Sequence, residues 1–193
     1  MSASRWPAGW ADMPPFWRVP RPPALPTLLR ALLPALLCLM ASMPTSAFDG
    51  IVTRVSDGDT LWVRPDGDRR KPVKVRLLGI DAPERCQAWG EQATAALQQR
   101  VLHQRVSVAT RARDDYGRWL GDLRLADGTD IAGWMVVTGH AWSARHRADP
   151  GPYAAQERQA QGARRGLHAD PQALLPRLFR QQHGPCDNRP AAR

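Results

Sequence analysis

From Phe48 onward, hydrophobic and polar residues alternate in short segments, a period of two that predicts β-strands. Ile51 to Val55 and Thr60 to Arg64 are two such segments, and Ser56-Asp57-Gly58-Asp59 between them has the composition of a hairpin turn. After a second turn at Pro65-Asp66-Gly67-Asp68, Lys71 to Leu78 supplies a third strand and completes a meander. Val73, Val75 and Leu77 would face a core, and Lys74 and Arg76 the opposite side. Pro83 lacks a backbone N–H and biases Ala82 toward extended backbone, so this strand is expected to end near Asp81. The period then changes. Ala93, Leu97 and Val101 recur at helical spacing within Gly90 to His103, and Glu91 lies in the first turn, where the helix dipole favours an acid. Arg105 to Thr110 and Trp119 to Leu125 are predicted as fourth and fifth strands, joined through a turn at Asp114-Asp115-Tyr116-Gly117. Ile131, Trp134, Met135 and Thr138 mark a short helix capped by Asp130 and stopped by Gly139. Tyr153 to Arg165 reads as a polar surface helix, and a proline-containing tail without assigned structure follows from about Ala169.

Three strands, a helix, two strands and further helices predict an α+β fold. Five strands can curl into a small closed barrel, and the oligonucleotide-binding (OB) barrel with about three packed helices is the architecture that fits best. The domain is placed at residues 48–168, with a carboxyl-terminal tail at 169–193. Residues 1–47 differ in composition. They hold no charge between Arg30 and Asp49, and Ala31 to Met43 is an apolar run of 13 residues followed by Thr45-Ser46-Ala47. This is the pattern of an export signal cleaved after Ala47. The run is short against the roughly 20 residues of a bilayer span, so no stable membrane insertion is expected after cleavage. The product is expected to be periplasmic or secreted, and monomeric.

Charge and cysteines sharpen this picture. The whole chain carries a formal charge of +9; residues 1–47 contribute four arginines and one aspartate, leaving +6 on residues 48–193. A basic exported protein is drawn to polyanions, with nucleic acid the commonest and acidic lipid or polysaccharide the others. Cys86 and Cys186 remain after cleavage, and an even count in an oxidising compartment permits one disulfide. Such a bond would tether the tail, closing a loop of roughly 100 residues, worth about 4.7 kcal/mol in the chain-entropy account. The rival reading takes His183-Gly-Pro-Cys186 as half of a zinc site, for which the chain offers no second closely spaced ligand pair.

The chemistry concentrates in Val75 to Glu84, VRLLGIDAPE, where Arg76 is mounted on a strand and Asp81 and Glu84 flank a corner. Asp57-Gly58-Asp59-Thr60 belongs to the same meander, so Asp59 can approach Asp81. With a carbonyl near Ala82, these acids would suit a hard cation such as calcium, which takes about six to eight oxygens including water and substrate phosphate. The plainer readings are a hairpin turn at Asp-Gly and a surface salt-bridge cluster. Asp114-Asp115-Tyr116-Gly117-Arg118 is likewise either a polar turn or the mount for a second guanidinium aimed at phosphate. The five histidines are scattered, and neither a Ser/Cys-His-acid pattern nor a phosphate-loop glycine motif occurs.

Taken in order, DGDT, VRLLGIDAPE, the Trp89-Gly90-Glu91-Gln92-Ala93 helix start and DDYGR resemble the staphylococcal nuclease (thermonuclease) family over about Asp49 to Leu167. The resemblance implies a five-stranded OB barrel and calcium-dependent hydrolysis of DNA and RNA, leaving a 3′-phosphate and a 5′-hydroxyl. It implies that Asp59 and Asp81 bind calcium with the main-chain carbonyl of Ala82, where the family often has threonine. It also implies Glu84 as general base or water-positioning group, Arg76 and Arg118 as phosphate-binding residues, and Tyr116 on the substrate side. Arg145 and Arg147 fall near tyrosines of the type member, and Trp142 is the aromatic nearest to replace their stacking. Two rivals remain at this point: an OB module of the cell envelope that binds nucleic acid without cutting it, and an envelope protein that uses its basic surface on other acidic polymers.

Overall fold

One long, bent strand closes the sheet on itself. Strand β1 (Ser46–Asp57) pairs through its first half with β5 (Arg105–Arg113) and through its second half with β2 (Thr60–Pro65). Register shifts between Val52 and Arg54 and between Val55 and Asp57 bend it enough to serve both partners. Strand β3 (Val73–Leu77) follows β2, and β6 (Trp119–Leu125) pairs with both β3 and β5, giving a closed barrel in the order β1-β2-β3-β6-β5. The β3–β6 contact is parallel, with Val75 opposite Trp119, while the other barrel pairs are antiparallel. The computed structural model describes residues 46–67, 71–184 and 186. The proposed export signal lies outside the described residues except for Ser46 and Ala47, which pair with Thr110 and Ala109. β1 therefore begins two residues ahead of the boundary expected at Phe48.

Most predicted inward positions form the core, while Val73, at the start of β3, is partly buried and packs against it. Val52, Leu61, Val63, Val75, Leu77, Val106, Val108 and Leu123 are essentially inaccessible to solvent. Helix α1 (Gly90–Val101) adds Ala93, Leu97 and Val101 from one face, and helix α2 (Ile131–Val137) adds Ile131, Ala132, Met135 and Val136. Asp130 caps α2 as expected, accepting the Ala132 N–H at 3.1 Å. Helix α3 (Ala154–Gly162) and a 3-10 turn (Gly166–Ala169) follow.

Two expectations need correction. The third strand does not run on toward Asp81. It stops at Leu77, and the chain turns at Gly79, whose φ of 75° favours glycine. Ile80–Asp81 then forms a separate short strand, β4, antiparallel to β7 (Trp142–Ser143), with Asp81 opposite Trp142. The tail also forms structure: Pro176–His183 is helix α4, with proline in its first turn and Gly184 at its end. The described residues thus hold four α-helices, against about three expected. No helix among the described residues is long and apolar enough to cross a membrane.

Candidate active site

A cleft of about 480 Å³ lies where the β1–β2 turn, β3, the segment after β4 and the start of β6 meet. Thr60 and Arg76 are opposite each other across β2 and β3, and Arg76 is opposite Leu120 on β6. Strand alternation therefore puts Arg76, Thr60 and Arg118 on one side, away from the core residues Leu61, Val75 and Leu77.

Arg76 organises the acids. Its Nη1 is 2.8 Å from Asp59 Oδ2, and its Nη2 is 3.4 Å from Asp81 Oδ1. Asp59 is 4% exposed and also accepts the Thr60 hydroxyl at 2.8 Å. Asp57 stands behind it, accepting the Asp59 N–H at 3.1 Å. Burial, followed by the neighbouring Asp59 charge, pushes the Asp57 carboxyl up to about 7. Asp81 is raised as well: burial dominates, Asp59 and Glu84 add to it, and Arg180 and Arg76 oppose it. Burial pulls the Arg76 guanidinium down, but Asp59, Asp81, Asp57 and Glu84 together outweigh it and hold its pKa above the ordinary value. Four carboxyl groups thus crowd one guanidinium.

The second arginine is fixed from outside. Asp114 accepts both the Arg118 backbone N–H at 2.9 Å and its Nε at 2.6 Å. Burial works to raise the Asp114 carboxyl, but the hydrogen bonds and charge of Arg118 overcome it and hold it below the usual range. Arg118 Nη1 then lies 3.5 Å from Thr60 Oγ1, toward the acids. Tyr116, at the tip of this turn, is 84% exposed, with its ring centroid 5.2 Å from the Arg118 guanidinium carbon.

Glu84 is placed by backbone contacts. Its carbonyl accepts the Gln87 N–H at 2.8 Å, and its own N–H donates to Gln87 Oε1 at 3.2 Å. Gly90 opens α1 directly against this carbonyl; a Cβ there would lie 1.9 Å from Glu84 O. The loop and the helix start are therefore locked together. Glu84 Oε1 pairs at 2.5 Å with Nη1 of Arg180, from α4. Ala82 is buried in the cleft wall. Cys86 and Cys186 are joined by a disulfide just beyond Glu84, so the expected pairing is present and the zinc reading falls.

The structure thus brings Asp59, Asp81, Arg76 and Glu84 together, sets Arg118 beside them and leaves Tyr116 at the edge. Three other cleft residues had no assigned role. Asp57 was legible as the first acid of the Asp-Gly-Asp turn, and Lys74 as the residue two before Arg76 on the same strand face. Pro176 and Gly184 bracket a helix in the sequence, but nothing local signals that Arg180 reaches Glu84. Two surrogates for stacking or phosphate attraction are otherwise engaged. Trp142 is buried at 5% exposure, and Arg145 is ion-paired to buried Glu157.

Among the described residues no three His, Cys, Asp or Glu side chains are arranged to hold a metal unaided. The donor set nevertheless fits a hard cation. Asp59 and Asp81 converge on a single positive group, Arg76, and Asp59 and Arg76 border the cleft that Ala82 also lines. Such an ion would take its remaining ligands from water, carbonyl and phosphate oxygens.

A family model described as Staphylococcal nuclease homologue matches residues 74–170. The chain is 35% identical over 163 residues to a protein named Micrococcal nuclease from Shigella flexneri, covering 79% of this chain and 92% of the relative. It is 37% identical over 166 residues to Protein ParB of Escherichia coli, covering 80% and 92%. A relative from Haemophilus influenzae, named as an uncharacterized endonuclease, is 34% identical over 131 residues, covering 68% and 72%.

Proposed function

Because this chain belongs to the staphylococcal nuclease family and is a phosphodiester-hydrolysing endonuclease, we propose that it cuts both DNA and RNA with little sequence specificity, in a calcium-dependent manner, as an exported monomer. The observation that carries this reading is the Arg76 cluster. One partly buried guanidinium holds Asp59 and Asp81 beside Glu84, with Arg118 lining the same cleft. Neither a passive binding surface nor a general polyanion sink needs buried acids that oppose the substrate's charge. The disulfide and the lack of a membrane-crossing helix among the described residues are compatible with export. A periplasmic or secreted location after removal of residues 1–47 is part of the proposal.

Asp59 and Asp81, with the Ala82 carbonyl, would hold the calcium ion, which when bound supplies positive charge against the phosphodiester. Arg76 and Arg118 bind the scissile phosphate through paired N–H donors and stabilise the charge added in the transition state. Glu84 orients a water opposite the leaving oxygen and accepts its proton as the oxygen attacks phosphorus. The bond from phosphorus to O5′ breaks and its electron pair leaves with O5′, which takes up a proton. The products are a 3′-phosphate and a 5′-hydroxyl. Tyr116, exposed next to Arg118, offers a ring to the neighbouring nucleotide.

The test is cleavage of end-labelled single- and double-stranded DNA and of RNA by the disulfide-bonded protein, with calcium or with a chelator, beside Glu84→Gln. The expected result is calcium-dependent cutting that leaves 3′-phosphate ends and collapses in the variant. Cutting that is indifferent to chelator, or undiminished in Glu84→Gln, overturns the mechanism.

A further inference from the structure

The barrel closes without α4, yet this helix reaches the centre of the site. Arg180 Nη1 lies 2.5 Å from Glu84 Oε1 and 3.8 Å from Asp81 Oδ1. Among the described residues Arg180 is the one side chain that pairs with the Glu84 carboxylate, and it engages Oε1 while none engages Oε2. Two ties hold the helix in this register. The Cys86–Cys186 disulfide anchors the chain just past its end to a point two residues after Glu84. At its start, Gln87 Nε2 donates to Leu174 O at 2.6 Å while the same side chain's Oε1 accepts the Glu84 N–H. Gln87 is 7% exposed, so both bonds are sheltered from water.

We propose that Arg180 is a positioning residue for Glu84, held in register by the Cys86–Cys186 disulfide and by Gln87. The inference rests on the nuclease reading above. Glu84 sits on a loop, and a carboxylate that must aim one oxygen at a water gains from having the other fixed by a charged donor. The covalent tether argues against a clamp that swings away on each turnover: it holds the backbone on both sides of the Glu84–Arg180 pair. The disulfide thereby links folding in an oxidising compartment to assembly of the site.

The experiment compares kcat and KM on one labelled oligonucleotide, with calcium, for the wild type, Arg180→Ala, Arg180→Lys, Cys86→Ser/Cys186→Ser, and Arg180→Ala built into both Glu84→Gln and the serine pair. Arg177→Ala, which removes an exposed charge from the same helix, is the control, and thermal melts check folding of every protein. Loss of a charged hydrogen bond predicts a fall in kcat of about ten- to hundredfold for Arg180→Ala, with KM within about threefold and partial recovery in Arg180→Lys. In the Glu84→Gln and serine-pair backgrounds the same change should cost less than about threefold, because residues acting through one another are not additive. Unchanged or increased kcat in Arg180→Ala overturns the proposal, the increase identifying an inhibitory clamp instead. An equal loss in the Glu84→Gln background also overturns it, assigning Arg180 to direct phosphate contact. A wild type that cuts nothing refutes the nuclease reading and the proposal together; a wild type that cuts, with Arg180→Ala cutting at an equal or higher kcat, refutes the proposal alone.

Discussion

Gly90→Ala tests how tightly the fold holds the site. A Cβ at position 90 would lie 1.9 Å from Glu84 O and 2.8 and 2.9 Å from the carbonyl carbons of Glu84 and Arg85. Ordinary contact begins near 3.4 Å, so the backbone must give by about 1.5 Å at the closest atom. No rotamer change relieves this, since all three neighbours are main chain. Two effects compete: alanine in a helix gains up to about 1 kcal/mol over glycine, while forced backbone shifts from overpacking cost about 1–3 kcal/mol or more. The clash wins, with a net loss of about 1–2 kcal/mol. Its effect on catalysis is larger in proportion, because the displaced atom belongs to Glu84 itself and a misplacement of about 1 Å costs roughly a hundredfold in rate. The assay pairs urea unfolding with kcat on a labelled oligonucleotide. A variant that is at least as stable as wild type, or that keeps kcat within about threefold, would refute the argument that the start of α1 is locked against Glu84.

Gly162→Ala is the counterpart, at the end of α3 with nothing within 4 Å of the added methyl; it should stabilise by about 0.4–1 kcal/mol in the same urea titration. Glu157→Ala removes a carboxylate only 3% exposed that accepts from Ser143 N–H at 3.2 Å, from Gln161 at 3.1 Å and from Arg145. Because Arg145 is itself 39% exposed, the ion pair is discounted for solvent screening and the hydrogen bonds dominate, for a loss of about 2–3 kcal/mol and a Tm lowered by roughly 4–12 °C. Since Ser143 lies on β7, the strand that pairs β4, this variant should also lose activity before it unfolds. His140 is pushed below its ordinary 6.5 by burial, and its Nδ1 accepts the Trp89 indole N–H at 3.2 Å; burial likewise lowers His168. At these two side chains the unfolded chain binds more protons than the folded one, so their contribution to stability is present above pH 6.5 and lost as pH falls below it; the raised carboxyls of Asp57 and Asp81 act in the opposite direction. Replacing both histidines with glutamine should therefore raise Tm at pH 5 relative to pH 7 when compared with wild type, and an unchanged difference would show that neither contributes.

Much of the scaffold is written in local periodicity. The alternation of Val73, Val75 and Leu77 with Lys74 and Arg76 is a property of any extended strand, so it places Arg76 opposite the core before any partner strand is known. The spacing of Ala93, Leu97 and Val101 does the same for α1, and Asp130 caps α2 through an oxygen that reaches only two residues ahead. The turn at Asp114 is equally local: its carboxylate bonds Tyr116 N–H and Arg118 N–H and side chain within four residues. The acids and arginines lie in short motifs of the same local kind, and it is the order of those motifs, through the resemblance to the nuclease family, that joins them in one site. They sit at strand ends and turns whose chemistry is short-range.

Local pattern specifies the five barrel strands and the first three helices, which side of a strand meets the core, and which short motifs carry acids and guanidiniums, but not β4, β7 or α4. Those properties follow from backbone geometry and neighbours a few positions apart. The tertiary structure alone decided the parallel contact of β3 with β6, the removal of Asp81 from β3 to a ribbon with Trp142, the gathering of Asp57, Asp59, Asp81 and Glu84 around Arg76 and the delivery of Arg180 to Glu84 from 96 residues away. Each of these depends on where distant segments come to rest when the barrel closes, and closure is a collective outcome of burying one core. No local pattern encodes which segments it will bring together.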